Sequence, residues 1–168
     1  MRIRPAIAGD AAACAAIYAP VVRDTAISFE VVAPDAAETA RRIEAAHVWL
    51  VAVAPHGEVV GYAYSSPHRE RAAYRYAVDV SVYVAPHARG CGIAGRLYED
   101  LLEQTAALGL RRAYAGIALP NPASVALHES AGFRPVGVYE RVGWKLGRWH
   151  DVGWWQRDLG DDPLAPPR

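Results

Sequence analysis

Residues 79–102 read Asp79-Val-Ser-Val-Tyr-Val-Ala-Pro-His-Ala-Arg-Gly-Cys-Gly-Ile-Ala-Gly-Arg-Leu-Tyr-Glu-Asp-Leu-Leu102. Val78, Val80, Val82 and Val84 alternate with Asp79, Ser81 and Tyr83. That period of two predicts a strand with two different faces. Pro86 ends it, because proline has no amide to give to a ladder. From Ile93 the period lengthens: Ile93, Leu97, Leu101 and Leu108, with Tyr98 and Leu102 beside them, make one apolar helical face, and Gly109 supplies the stop. Between strand and helix lies Arg89-Gly90-Cys91-Gly92-Ile93-Ala94-Gly95. Glycines let the backbone approach a ligand closely, and a helix start offers unpaired amides and a positive dipole end. The segment predicts an anion site, most simply for phosphate.

Gly90, Gly92 and Gly95 spell the dinucleotide pattern G-x-G-x-x-G. Context rejects that reading. The fingerprint needs a tight turn directly after the strand and an acidic residue about 20 positions on. Here Ala85–Arg89 intervene, and the next strand ends in Leu119-Pro120 without an acid. No Gly-Lys-Ser/Thr follows, so a P-loop is excluded. What remains is Arg-x-x-Gly-x-Ala (Arg89, Gly92, Ala94), or an ordinary helix start that carries glycines.

A chain of 168 residues holds one domain with a real core and leaves little room for two. With 52% hydrophobic and 21% charged residues the composition is that of an ordinary globular protein. Eighteen basic residues balance eighteen acidic ones, so no electrostatic argument favours nucleic acid or a membrane surface as a partner. Cys14 and Cys91 show neither metal spacing nor a disulfide framework, which makes a reducing cytoplasm the expectation. The apolar run Ala11–Val22 is too short to span a bilayer. Asp10 also interrupts any signal-peptide reading of Arg2 and Arg4.

In chain order, Arg2–Ala6 reads as a strand, and Asp10 caps a helix that runs to about Val22. Arg23–Ala33 is extended or a loop, and Asp35 with Glu38 opens a second helix to about Ala46. Val48–Ala54 and Val59–Ser65 form a hairpin around Pro55-His56-Gly57-Glu58. Pro67–Arg75 is a polar loop. After the central unit come a strand over Arg112–Leu119, a helix over Ala123–Ala131 and a strand over Phe133–Tyr139. Val142–Trp149 reads as a loop and His150–Leu159 as a last strand. Residues 1–159 are expected to form one domain, and the proline-rich stretch 160–168 a disordered tail. The order β-α-α-β-β-β-α-β-α-β-β predicts an α+β fold, a mixed sheet with helices on both sides.

That order is similar to the GNAT acyl-CoA N-acyltransferase fold, whose central sheet is mixed but mostly antiparallel. Arg89, Gly92 and Ala94 resemble its pyrophosphate loop, and Asn121 through Phe133 resemble its Asn-x-x-Ser/Ala-x-x-Leu-Tyr/His-x-x-x-Gly-Phe block. Val142–Val152, Trp155–Leu159, Arg71–Tyr74, Val78–Val84 and Trp49–Ala52 resemble one branch, the phosphinothricin and methionine sulfoximine N-acetyltransferases. The resemblance runs from Ile3 to Leu159.

It implies acetyl transfer from acetyl-CoA to the primary amine of a small amino-acid-like molecule, by direct attack. Asp79 stands where the branch usually has Glu, as the carboxylate that helps deprotonate the amine, and its shorter reach favours a water relay. His128 stands where many relatives have a tyrosine acid, and is either a base or acid or a buried histidine bonded to backbone. Val82, Tyr83 and Val84 would pair with the pantetheine arm and polarise the thioester. Arg89, Gly90, Cys91, Gly92, Ile93, Ala94 and Gly95 would hold the pyrophosphate, with Asn121 and Ser124 beside the cofactor. For Asn121 the competing reading is a turn residue between two prolines. Arg71, Tyr74, Phe29 and Ser81 are candidates for the acceptor pocket, the arginine for a carboxylate. An acyl-cysteine at Cys91 ranks below direct transfer. His47, His56, His68, His87 and His150 read as surface residues, and no metal is implied. Trp144, Trp149, Trp154 and Trp155 read as core and dimer-contact residues, and the resemblance implies a homodimer. Two alternatives stand beside this reading. One is an acetyltransferase for a polyamine, an aminoglycoside or a protein N-terminus. The other is a non-catalytic acyl-CoA sensor.

Overall fold

A computed structural model describes residues 1–161. From position 162 the expected disordered tail lies outside the described residues. Among the described residues seven strands form one sheet in the order β1-β2-β3-β4-β5-β7-β6. They are β1 (Arg2–Pro5), β2 (Val48–Val53), β3 (Val59–Pro67), β4 (Ala77–Val84), β5 (Arg112–Leu119), β6 (Arg134–Lys145) and β7 (Arg148–Asp158). Among the described residues four α-helices cover it: α1 (Ala11–Asp24), α2 (Ala36–Ala45), α3 (Ile93–Ala107) and α4 (Pro122–Ser130). Every neighbouring pair is antiparallel except β4 and β5. The predicted element order and the mixed, mostly antiparallel sheet are both found.

The two faces of β4 build two cores. Val78 and Val80 are buried with Leu97, Leu101 and Tyr98 of α3, and Val82 and Val84 pack against the same cluster. Each large aliphatic side chain buried there contributes roughly 1.5–3 kcal/mol. On the opposite face Tyr83 joins Cys14, Ile17, Tyr18 and Val21 of α1 with Trp49 and Tyr62. Burial pushes the Cys14 thiol up to about 12, so it acts as a small apolar side chain.

Three expectations need correction. Residues 142–149 are not a loop: β6 and β7 form a long hairpin, pairing Gly143 with His150, Trp144 with Trp149 and Lys145 with Arg148. Its two-residue turn puts Leu146 and Gly147 at φ 51° and 75°, the double positive φ that matches strand twist. Asp10 is an N-cap by position only. Its carboxylate grips Arg4 at 2.7 and 2.8 Å and accepts from the Ile7 amide at 2.9 Å, and the arginine holds it below the usual carboxylate range. Asp35 does cap α2, accepting from the Glu38 amide at 2.8 Å. Finally, two of the five histidines read as surface residues are not. His150 is buried and bonded through Nε2 to the Lys145 carbonyl at 2.9 Å. His68 packs against Asp79, its side chain only 12% exposed. His47, His56 and His87 are exposed.

Candidate active site

The parallel pairing of β4 with β5 covers only Ala77–Asp79 against Arg112–Tyr114. Beyond it the two strands separate, since β5 runs on to Leu119 paired with β7. A wedge opens between Ser81, Val82 and Tyr83 on one side and Gly116, Ile117 and Ala118 on the other. Tyr98, Asn121, Ser124 and His128 complete it. Among the described residues the β4 backbone facing this wedge has no strand partner on that side; Arg89 Nε donates to the Val84 carbonyl at 3.3 Å, and the Val82 groups and the Val84 amide are left to bond a ligand.

From the wedge a groove of about 420 Å³ leads to the head of α3. Val82, Tyr83, Val84, Arg89, Gly90, Gly92, Ile93, Ala94, Gly95, Asn121 and Ser124 line it. These are the residues expected to hold a phosphate-bearing ligand, with one exception. Cys91 is exposed and outside the lining, its Sγ turned toward the Arg89 carbonyl at 3.7 Å. Gly90 and Gly92 have φ of 77° and 72°, which glycine adopts without strain. The first helical bond of α3 runs from the Arg96 amide to the Gly92 carbonyl at 3.2 Å. The amides of Ile93, Ala94 and Gly95 therefore stand at the open end of the helix, with the positive dipole end behind them. Asn121 caps α4, its Oδ1 accepting from the Ser124 amide at 3.1 Å, and it lines the groove. A larger cavity of about 680 Å³ beside α3 is lined by Glu99, Glu103 and Asp158. Three carboxylates there outnumber Arg157, which disfavours an anion in that cavity relative to the smaller groove.

The opposite side of the wedge opens on an apolar pocket of about 320 Å³. Ile27 and Phe29 come from the α1–α2 loop, Gly116 and Ala118 from β5, Tyr139 and Val142 from β6, and Val152 and Trp154 from β7. Phe29 was anticipated; the others were not. Trp154 is thus a pocket wall, whereas Trp155 belongs to the core and Trp144 and Trp149 are exposed. The pocket wall is held by an unforeseen residue, Lys145. It is 8% exposed and donates to the Val22 carbonyl at 2.5 Å and the Ser28 carbonyl at 2.6 Å, which ties the Phe29 loop to the β6–β7 hairpin. Burial lowers its pKa, against the pull of Glu30.

Asp79 lies at the last parallel pair, where the wedge begins. Its Oδ1 is 2.7 Å from His68 Nδ1, and its Oδ2 is 3.9 Å from Arg69. Burial raises its pKa above the usual carboxylate range, and His68 and Arg69 oppose the rise. Arg69 stands 5.8 Å over the Trp154 ring, while Arg71 is exposed and outside both pockets. Tyr74 lies edge-on to His68 at 5.9 Å, and Ser81 lines the wedge.

His128 is 4% exposed. Its Nδ1 is 2.7 Å from the Ser124 carbonyl, a contact only an N–H can make, so Nε2 accepts from the Tyr98 hydroxyl at 2.9 Å. Burial lowers its pKa, with the Ser124 bond opposing. Tyr98, fully buried in α3, reads in the sequence as one more apolar-face residue.

An amide-lined anion groove running into a split between two strands, with a carboxylate at the fork, defines a class: an enzyme that delivers a group from a phosphate-bearing carrier to a nucleophile. The acetyltransferase (GNAT) family matches residues 18–133. A phosphinothricin N-acetyltransferase of Streptomyces coelicolor is 42% identical over 95% of this chain and 96% of its own length. An L-methionine sulfoximine/L-methionine sulfone acetyltransferase of Pseudomonas paraeruginosa is 39% identical over 70% of this chain and 68% of its own. A crystal structure of a GNAT superfamily phosphinothricin acetyltransferase from Sinorhizobium meliloti in complex with AcCoA has a TM-score of 0.94 at 37% identity, covering 99% of this chain and 92% of that one. The chain belongs to the GNAT acetyltransferase family.

Proposed function

We propose that this acetyltransferase moves the acetyl group of acetyl-CoA to the α-amino group of phosphinothricin, methionine sulfoximine or a closely related amino acid, by direct attack. The single observation that carries the reading is the continuous groove from the glycine loop to the wedge beside Asp79. The relatives named above support the acceptor class. The amides at the head of α3 receive the pyrophosphate. The free edge of Val82–Val84 takes the pantetheine arm and polarises the thioester carbonyl. Tyr83 lines the groove without offering its polar groups, because its ring is packed 4.7 Å from Tyr18 in the far core and its backbone pairs with Tyr62 of β3. Asp79 is the carboxylate of the deprotonation path. His128 positions Tyr98 and Ser124 at the wedge, a part supported by the engagement of both its ring nitrogens. The acceptor's side chain enters the apolar pocket beside Phe29 and Ser81, and its carboxylate meets the loop that carries Arg69, Arg71 and Tyr74.

A thiol-release assay across phosphinothricin, methionine sulfoximine, methionine sulfone, a polyamine, an aminoglycoside and an N-terminal peptide tests the assignment. Turnover should be confined to the amino-acid analogues. Preferred turnover of any of the last three amines would defeat it, and acetyl-CoA binding without transfer to any amine would establish the sensor.

Phe29 offers a narrower check. A methyl placed on Gly143 would overlap the Phe29 ring, which can swing because it is 38% exposed. Gly143→Ala is therefore expected to reshape the acceptor pocket and leave the fold intact. Steady-state kinetics should show the acceptor KM rising about tenfold, the cost of a displaced apolar wall, with the acetyl-CoA KM unchanged.

We further propose a homodimer in the cytoplasm. The exposed Val136, Val138, Trp144, Leu146 and Trp149 on the terminal β6–β7 hairpin support self-association. No helix among the described residues is long and apolar enough to cross a membrane. Among those residues no group of three His, Cys, Asp or Glu is arranged to hold a metal ion.

A further inference from the structure

We propose that His68, braced by Asp79, is the group that takes the proton from the acceptor ammonium, so that the base of this enzyme is an Asp–His pair and not a lone carboxylate. The inference rests on the reading above and assigns the proton path within it.

The pairing register places the two side chains together. Ser66 lies opposite Asp79 and Pro67 opposite Val78. The ladder goes one step further, the His68 amide donating to the Ala77 carbonyl at 3.2 Å. His68 and Asp79 are thus diagonal neighbours on one face of the sheet, within reach of each other across the strand pair.

The hydrogen bonding sets the tautomer. Nδ1 is 2.7 Å from the Asp79 carboxylate and 3.5 Å from Arg69 Nη1. The short contact is the charge-assisted one, so Nδ1–H donates to Asp79. The neutral ring then presents Nε2 with its lone pair free, and Nε2 makes no hydrogen bond among the described residues. Nε2 lies on the side of the ring away from Asp79, so the pair extends the reach of the short aspartate.

The ring is also held as a catalytic group must be. It stacks on Tyr114 at 4.5 Å, with Tyr74 edge-on at 5.9 Å and Trp154 edge-on at 6.1 Å. Trp154 is a wall of the acceptor pocket. The charged groups facing the ring are Asp79 and Arg69, the latter anchored on the His68 carbonyl at 2.7 Å and 3.9 Å from Asp79. The carboxylate offsets the charge of the imidazolium that forms.

The step balances. Nε2 takes one proton from the ammonium, and the freed nitrogen pair forms the C–N bond to the thioester carbon. The tetrahedral oxyanion collapses and breaks the C–S bond, and the electron pair leaves on the thiolate. The thiolate takes the second proton of the nitrogen, and the imidazolium returns its proton to solvent. Asp79 stays ionised throughout.

The test compares His68→Phe, which keeps the ring stack, His68→Ala, which leaves a hole, and Asp79→Asn, with acetyl-CoA affinity measured by calorimetry as the control on folding. Both His68 variants should lose about 10²-fold in kcat, the lower end for general-base catalysis, with acetyl-CoA Kd within twofold of the parent. Added imidazole should restore His68→Ala at least tenfold and leave His68→Phe, where no space is vacated, unchanged. If the His68 variants keep kcat within twofold while Asp79→Asn loses it, the proposal fails and Asp79 acts alone. Loss in His68→Ala without imidazole rescue overturns it as well. Full activity in all three variants would overturn the carboxylate reading along with it.

Discussion

Asp79→Asn is expected to lower kcat by roughly 10²–10³-fold, within the range for loss of general-base catalysis. Acetyl-CoA affinity should stay within twofold, because Asp79 is not among the residues lining the amide-lined groove. The same change should not cost stability at neutral pH. Burial is the largest influence on the Asp79 carboxyl and raises its pKa, while the His68 hydrogen bond, then the His68 and Arg69 charges, lower it. A carboxyl raised in the folded state binds its proton more tightly there than in the unfolded chain. Its ionisation therefore opposes folding once the pH exceeds the folded pKa, and the penalty is relieved as pH falls toward the unfolded value near 3.8. Asparagine carries no such penalty. Thermal melts should give Asp79→Asn a Tm at pH 7 no lower than the parent's, with any advantage shrinking as pH is lowered into the carboxylate range. A dead variant that also melts early would mean that the carboxylate serves the fold and not the reaction.

Gly92→Val should have the second largest effect, and on the other half of the site. Gly92 has φ 72°, where a side chain is strained by about 1–2 kcal/mol and a β-branched one most of all. Nothing lies within 4 Å of the added Cβ, so the variant folds without a clash but projects an isopropyl group from the loop that lines the groove. The acetyl-CoA KM is expected to rise at least tenfold with kcat at saturation within about threefold, and Tm to fall by roughly 2–8 °C for the backbone strain. Gly95→Ala separates the two contributions. Its φ is not positive and its Cβ would also meet nothing within 4 Å, so it should weaken acetyl-CoA binding with no loss of Tm. A Gly92→Val enzyme with an unchanged acetyl-CoA KM would place the pyrophosphate elsewhere.

The contrast between these residues shows what a sequence can disclose. The unit around Gly92 is local: a change of period from two to 3.6, with glycines at the junction, lies within two dozen consecutive residues. Eleven of the twelve groove residues named from it line one cavity, with Asn121 and Ser124 delivered by the β5–α4 turn. The acceptor side is assembled differently. The apolar pocket draws on the α1–α2 loop and on β5, β6 and β7, whose registers no local pattern specifies. His68 reads as a loop residue because the β3–β4 connection hides the extra rung that sets it beside Asp79. Arg71 is the more prominent arginine by motif, yet Arg69 is the one over Trp154. The β6–β7 hairpin was hidden by its own composition. Two glycines within 142–149 suggest a loop, but only Gly147 sits in the turn, while Gly143 gives room to Phe29. Trp154 looks like any core tryptophan until Gly116 is seen beneath its ring, where a Cβ would come within 3.2 Å.

The central claim is that one ligand runs from the head of α3 into the split between β4 and β5, ending beside Asp79. A crystal structure with bound CoA tests it most directly. The account predicts pyrophosphate density against the amides of Gly92–Gly95 and the pantetheine arm along Val82–Val84, its sulfur in the wedge near Tyr98 and Asn121. Density in the carboxylate-lined cavity beside Glu99 and Glu103, or a pantetheine arm leading away from the wedge, would contradict it.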